Sequence, residues 1–352
     1  MIAAAPSSST SVMRRLLLLL CAPFVLLALP ASLPAAGSAP SVAIFYYPWY
    51  GTAAHDGQWQ HWGQDGHTPP DDIAAAYYPA DGVYSSDDTA EIARQMDEIR
   101  SAGVDQVVVS WWGRGSPEDA RLPLVLTAAR ADQLSVAVHL EPYAGRTLAS
   151  VVADVAYLNR VGVGTIYVYE PFDGITVSDW ATARVALHAG GEAFYAETPM
   201  VGAAAAAGFD GVYTYDIVTY GGRMFGRLCQ EAHRHHLLCA PSVGPGYDAR
   251  RSGVDQRVKP RRDGFTYDAM WRAAITARPD FVTVTSFNEW HEGTQIEPAA
   301  PRHRHGLYRY GTYDGAWGLH GAAAQVAYLA RTAYWASVFR KTSPEQLKTR
   351  QP

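Results

Sequence analysis

Between residues 42 and 340 the chain alternates short β-branched and aromatic runs with longer helical patterns. The strand-like runs fall at 42–47, 104–111, 135–140, 165–169, 199–202, 211–215, 238–243 and 281–287, bounded by Gly, Pro and Asp. Helical patterns lie between them at 87–102, 117–132, 148–161, 178–188, 222–236 and 267–278, with a last one at 322–340. The clearest is 87–102, where Ile92, Met96 and Ile99 share a face, the start is acidic and Gly103 follows the end. The fifth run, 199–202, is followed only by a short Ala-rich stretch at 203–207. Strands and helices in strict alternation predict a parallel α/β fold. At 352 residues a single (β/α)8 TIM barrel is the expected form. A doubly wound open sheet is the alternative, but no GxGxxG or P-loop follows the first strand. Two long loops interrupt the repeat, 51–86 after strand 1 and 244–262 after strand 7, and long loops on that face shape sites.

The N-terminus has another purpose. Arg14-Arg15 precede an apolar run over 16–29, and small residues follow through Ala39. That is the layout of a signal peptide over 1–39, with its cleavage zone at 31–39. The run holds Pro23 and is shorter than the roughly 20 residues that a spanning helix needs. A secreted or periplasmic protein is expected, with a signal-anchored protein at a membrane as the alternative. The catalytic domain would cover 40–340, and 341–352 reads as a polar tail. A monomer is expected. Net charge is −5 and no basic stripe occurs, which argues against nucleic acid. After cleavage, Cys229 and Cys239 remain; they either pair in an oxidising compartment or stay as buried thiols.

In a barrel, reactive groups belong at the C-terminal ends of the strands. The richest end is Ser286-Phe287-Asn288-Glu289-Trp290-His291-Glu292-Gly293-Thr294-Gln295-Ile296-Glu297. Glu289 and Glu292 are three apart, which puts both carboxyls on one side of a turn. A pair of carboxyls is what glycosidic cleavage needs. Glu297 lies further from the strand end and reads as a structural carboxylate paired with an Arg. Glu141 ends another strand, and His139 shares its face if the strand alternates. Aromatic residues make up 12% of the chain; flat rings suit sugars, although a large aromatic core would use them equally well. No metal and no cofactor are expected. The clusters His233-Arg234-His235-His236 and His303-Arg304-His305 lack HExxH spacing and carry Arg among the imidazoles. No GxSxG elbow occurs either.

These motifs resemble glycoside hydrolase family 99, the endo-α-1,2-mannosidases. The stretch from Ser286 to Glu297 is similar to the family signature. In the same order as family blocks come Tyr46-Tyr47-Pro48-Trp49-Tyr50-Gly51, His61-Trp62, Tyr84-Ser85-Ser86, Ser110-Trp111-Trp112-Gly113, His139-Leu140-Glu141-Pro142-Tyr143 and Ser242-Val243-Gly244-Pro245-Gly246-Tyr247. The resemblance implies a (β/α)8 barrel that cleaves α-mannosides inside a chain with retention. It implies Glu292 as general acid/base and Glu289 as the base acting on the 2-hydroxyl of the cleaved mannose, through a 1,2-anhydro sugar. The substrate would be mannan or a high-mannose glycan. Glu141 and His139 would bind the reactive mannose, while Tyr46, Tyr47, Trp111 and Trp112 would line subsites. Tyr169, Tyr215, His61, Asn288 and His291 complete the expected binding set. Which member of each adjacent aromatic pair faces inward stays open, because a one-residue slip flips the faces. Alternatives are a related barrel hydrolase on another α-glycan, or a non-catalytic glycan-binding protein, against which both glutamates argue. The chain departs from the family at Lys259-Pro260-Arg261-Arg262, where members carry Arg-Pro-Trp-Asn, and over 299–315.

Overall fold

A computed structural model describes residues 41–342. The leader assigned to 1–39 lies outside the described residues, as does the tail from 343 onward. Lys341 and Thr342, expected in that tail, are instead the last residues of the helix Ala327–Thr342.

The barrel strands are β1 (Val42–Tyr46), β2 (Gln106–Trp111), β3 (Ser135–Leu140), β4 (Thr165–Val168), β5 (Ala193–Glu197), β6 (Gly211–Tyr213), β7 and β8 (Val282–Val284). β7 comes in two pieces, Leu238–Ala240 and Ser242–Val243, on either side of Pro241. Proline has no N–H to give the ladder, so the strand breaks there. Every pairing in the ring is parallel, and β1 pairs with both β2 and β8. The first piece of β7 pairs with β6 and the second with β8, which closes the ring.

The fifth strand is a correction. The expected run at 199–202 is not a strand: Ala193–Glu197 takes that place, and Val201–Ala207 is the helix after it. The run Ala-Phe-Tyr-Ala-Glu has no β-branched residue and ends on a carboxylate, so propensity alone passes over it. In the barrel it is flanked by paired neighbours on both sides, and packing overrides propensity.

Alternation along each strand builds two cores. Ile44, Val107, Val109, Val138, Ile166 and Val212 face outward into an aliphatic layer under the helices. Phe45, Tyr167, Tyr195, Tyr213 and Phe281 face inward and fill the barrel with rings. Buried phenols need partners, and Tyr167 finds one by donating to Gln106 Oε1 at 2.8 Å.

The outer layer consists of α1 (Thr89–Ser101), α2 (Pro117–Ala131), α3 (Leu148–Arg160), α4 (Val177–Leu187), α5 (Val201–Ala207), α6 (Phe225–Arg234), α7 (Phe265–Ala277) and α8 (Ala327–Thr342). Their starts follow local chemistry. Asp88 caps α1, Ser116 caps α2 ahead of Pro117, and Thr147 and Thr176 form capping boxes with Ser150 and Asp179. Cys229 of α6 and Cys239 of β7 form a disulfide. Among the described residues no helix is long and apolar enough to cross a membrane.

Candidate active site

The turn after β8 is locked from several sides. Phe287 N donates to Phe45 O at 2.8 Å, Ile296 N to Ser286 O at 3.0 Å, and Glu297 N to Phe287 O at 2.9 Å. The Asn288 carboxamide reads the backbone of Tyr47 in both directions: it accepts from Tyr47 N at 2.7 Å and donates to Tyr47 O at 3.0 Å. From behind, Arg261 donates to the carbonyls of Gly293 and Gln295 at 2.9 and 2.7 Å. Its guanidinium lies over Tyr77, Tyr313 and Tyr328 at 4.6, 4.8 and 4.7 Å. A buried cation held by carbonyls and ring faces fixes the turn without placing a carboxylate beside it.

Inside this frame Ser286 Oγ accepts from Glu289 N at 2.8 Å. Glu289 Oε1 then accepts from the backbone N–H groups of His291 at 2.9 Å and Glu292 at 3.3 Å. Glu289 Oε2 is buried and has no hydrogen-bond partner. Such an atom is costly unless something else uses it. Glu292 is only partly exposed and accepts from Tyr215 OH at 3.3 Å. It lies against a small cavity of about 50 Å3 lined also by Tyr169, Tyr215, Asp216, Tyr247 and Arg257. Burial raises the Glu292 carboxyl to about 7, helped by the charge of Asp216. Burial, and then the Glu292 charge, also pushes Glu289 well above the usual carboxylate range. The pair therefore retains a proton near neutral pH.

The expected binding residues separate into groups. Tyr47 and Tyr215 face the barrel interior, from β1 and β6, and their hydroxyls bond to each other. Tyr169 packs edge-on to Tyr215 with ring centroids 5.5 Å apart. Glu141 accepts from Ser110 Oγ at 2.7 Å and bonds His139 Nδ1 at 2.9 Å, while His139 Nε2 bonds Tyr213 OH at 2.8 Å. His139 is 1% exposed and orients Glu141 through that Nδ1 bond. Trp112 stands at the end of β2 and is 37% exposed. His61 stacks on Trp49 with centroids 4.5 Å apart.

Two expectations fail on the direction of a side chain. Tyr46 and Trp111 are fully buried in the helix-facing layer. Tyr46 OH donates to Gln95 of α1 at 2.6 Å, and Trp111 Nε1 donates to Asp119 of α2 at 2.9 Å. Neither lines a subsite, because their strand neighbours Phe45 and Ser110 hold the inward positions. Asn288 and His291 are buried, at 0% and 3% exposure, and bond the backbone of Tyr47 and of His61.

The structure also brings in residues that the sequence reading left out. Glu197 ends β5 at an inward position, and burial, followed by the Glu170 charge, raises it to about 7. It was hidden by the misplaced fifth strand. Arg257 reaches Asp216 at 2.7 Å and ties the loop after β7 to the loop after β6. Glu297 pairs with Arg94 at 3.2 Å, the structural carboxylate that its place in the sequence predicted. Among the described residues no group of three or more His, Cys, Asp or Glu is placed to hold a metal ion.

Comparison with known proteins agrees with this geometry. The profile of glycosyl hydrolase family 99 matches residues 39–170 and 195–341. A glycoprotein endo-alpha-1,2-mannosidase-like protein of Danio rerio is 34% identical, with 74% of this chain and 71% of the relative covered. A glycoprotein endo-alpha-1,2-mannosidase of Xenopus laevis is 33% identical, with 74% and 70% covered. The solved structure of the family 99 endo-alpha-mannosidase from Bacteroides thetaiotaomicron superimposes with a TM-score of 0.77 at 30% identity, covering 86% of this chain and 98% of that one. Turn, barrel and similarity agree, and the chain belongs to glycoside hydrolase family 99.

Proposed function

We propose that the chain is an endo-acting α-mannosidase that cleaves internal α-1,2-mannosidic bonds of mannan or high-mannose glycans with retention. The relatives above bear the name endo-alpha-1,2-mannosidase, which supports the substrate class. The observation that carries the division of labour is the unequal setting of two carboxyls on one turn. Glu289 Oε1 takes two backbone donors, which favour its charge, and Oε2 is left free to accept. Glu292 has one long contact from Tyr215. Burial raises it to about 7 and raises Glu289 as well, so the pair holds a proton near neutral pH and the unequal donors, not the burial, distinguish the two. That supports Glu289 as base and Glu292 as acid.

The chemistry follows from the sugar. In an α-mannoside the 2-hydroxyl is axial and lies opposite the C1–O bond. Glu289 takes its proton as O2 bonds to C1. The C1–O bond breaks, and the leaving oxygen takes the proton of Glu292. The product is a 1,2-anhydro sugar. Water then attacks C1 and passes a proton to Glu292, the C1–O2 bond breaks, and Glu289 returns its proton to O2. Two inversions give retention. The route has a consequence for the substrate: the cleaved mannose must carry a free 2-hydroxyl, so the glycan continues toward its non-reducing end through another oxygen.

We also place the enzyme in a secreted or periplasmic setting. The leader pattern over 1–39 and the Cys229–Cys239 disulfide support this, since disulfides persist in oxidising compartments. The test is to incubate purified protein with α-mannan and a high-mannose glycan and follow the anomeric proton of the released piece. The α-anomer appearing first is the expected result. No release, or the β-anomer first, overturns the reading.

A further inference from the structure

The single ring proton of His291 is already committed. Its Nε2 lies 2.9 Å from the carbonyl oxygen of His61. A carbonyl only accepts, so Nε2 carries the hydrogen. Burial lowers the His291 ring to about 3. The ring is neutral, and Nδ1 is a bare lone pair. That nitrogen lies 3.7 Å from Glu289 Oε1, the same oxygen that accepts from His291 N and Glu292 N. Two donors reach one carboxyl oxygen, and a lone pair stands 3.7 Å from it. The donors stabilise the charge, and the lone pair opposes it. A residue that must take a proton from a sugar hydroxyl needs to be a stronger base than two donors alone would leave it.

We propose that His291 is a positioning residue that sets the proton affinity of Glu289 through its Nδ1 lone pair, with its tautomer fixed by the main-chain carbonyl of His61. The proposal rests on the reading of Glu289 as the base. It gives His61 and His291 work that requires no contact with substrate, in place of the binding roles expected for them. His61 sits at φ 61°, the left-handed region that a non-glycine residue rarely takes, and that conformation presents its carbonyl to His291. Burial lowers the His61 ring to about 4, so it brings no charge at working pH.

Other groups face Glu289, and two of them raise its proton affinity in the same direction by charge. Glu292 on the same turn and Glu141 from the end of β3 oppose its charge through their own. Tyr47, Tyr50 and Tyr215, from the β1 end and the β6 end, are all held well above the usual phenol range by burial. They stay neutral. Among these groups only His291 offers a fixed nitrogen lone pair.

The test is His291→Gln, which keeps an amide donor in reach of the His61 carbonyl and removes Nδ1. A carboxyl-carbon NMR titration reads Glu289 directly, with its signal assigned by loss in Glu289→Gln, and it needs no substrate. The midpoint is expected to fall by roughly half a unit to one unit, a three- to tenfold loss of proton affinity. The acid limb of kcat/KM on an α-mannoside should move by the same amount with KM unchanged. Imidazole nitrogen NMR of the wild type should show Nε2 protonated. His291→Phe, which also lacks the lone pair, is the second variant if Gln perturbs the fold, and the same shift is expected. An unmoved midpoint in the folded variant, or a proton on Nδ1, overturns the proposal. Absence of mannoside cleavage by the wild type, with the midpoint shift intact, would instead overturn the proposed function.

Discussion

Glu289 and Glu297 sit on the same loop and are about equally buried, at 2% and 1% exposure. Their surroundings are opposite. Glu297 pairs with Arg94 at 3.2 Å, and it accepts from Gln95 Nε2 at 2.9 Å and from both Tyr84 OH and Trp290 Nε1 at 2.8 Å. Both of its oxygens are used. Glu289 has two backbone donors on one oxygen and none on the other. A buried carboxylate with a full set of partners is part of the frame. One with a free oxygen beside a second raised carboxyl is equipped for chemistry. Burial does not separate the two glutamates; partner count does.

The contrast can be broken at either end. Glu292→Gln removes the acid beside Glu289 and should lower kcat by roughly a thousandfold while leaving the fold intact by circular dichroism. Near-wild-type turnover would remove Glu292 from the chemistry. Glu297→Ala should do the reverse. It strips Arg94, Gln95, Tyr84 and Trp290 of an acceptor, and urea unfolding should show a loss of about 3–5 kcal/mol. The pH profile of the molecules that remain folded should keep its shape.

A third prediction concerns pH. A carboxyl raised from 4.5 to about 7 means that the folded protein holds more protons than the unfolded chain across that window. The stability linked to it is fully present below about 4.5 and is lost as pH rises through about 7. Glu292→Gln carries no such loss. Relative to wild type it should gain with rising pH, by up to about 3 kcal/mol at neutral to alkaline pH. A flat difference across that window would place Glu292 in an ordinary solvated setting. The smallest effect separates the faces of β1. Tyr46→Phe should cost about 1 kcal/mol of stability through Gln95 and leave kcat/KM alone. Tyr47→Phe should cost a similar amount of stability, since its hydroxyl bonds that of Tyr215, and should in addition lower kcat/KM by roughly tenfold, a loss of about 1.4 kcal/mol.

Much of the same contrast was legible before the structure. The alternation of strands and helices predicted the barrel, and the turn after the last strand carried both Glu289 and Glu292. The position of Glu297 away from the strand end predicted its pairing with an Arg. Two kinds of information were not readable. Facing was one: Tyr46 and Tyr47, or Trp111 and Trp112, are equivalent until the register of the pleat is known. Long-range partners were the other. That Asn288 clamps Tyr47 and that Arg261 holds Gly293 and Gln295 depends on segments far apart in sequence. β5 was missed because Ala193–Glu197 gains its strand from its neighbours and not from its composition, and Glu197 was missed with it.

The central claim is that the substrate supplies its own nucleophile, with Glu289 as the base. An α-mannoside methylated at the 2-hydroxyl of the cleaved mannose tests it without altering the protein. The account predicts that the methyl ether is not cleaved by the wild type, while the unmethylated parent is. Cleavage of the methyl ether at the parent's rate would contradict it, because a carboxylate would then have to attack C1 directly.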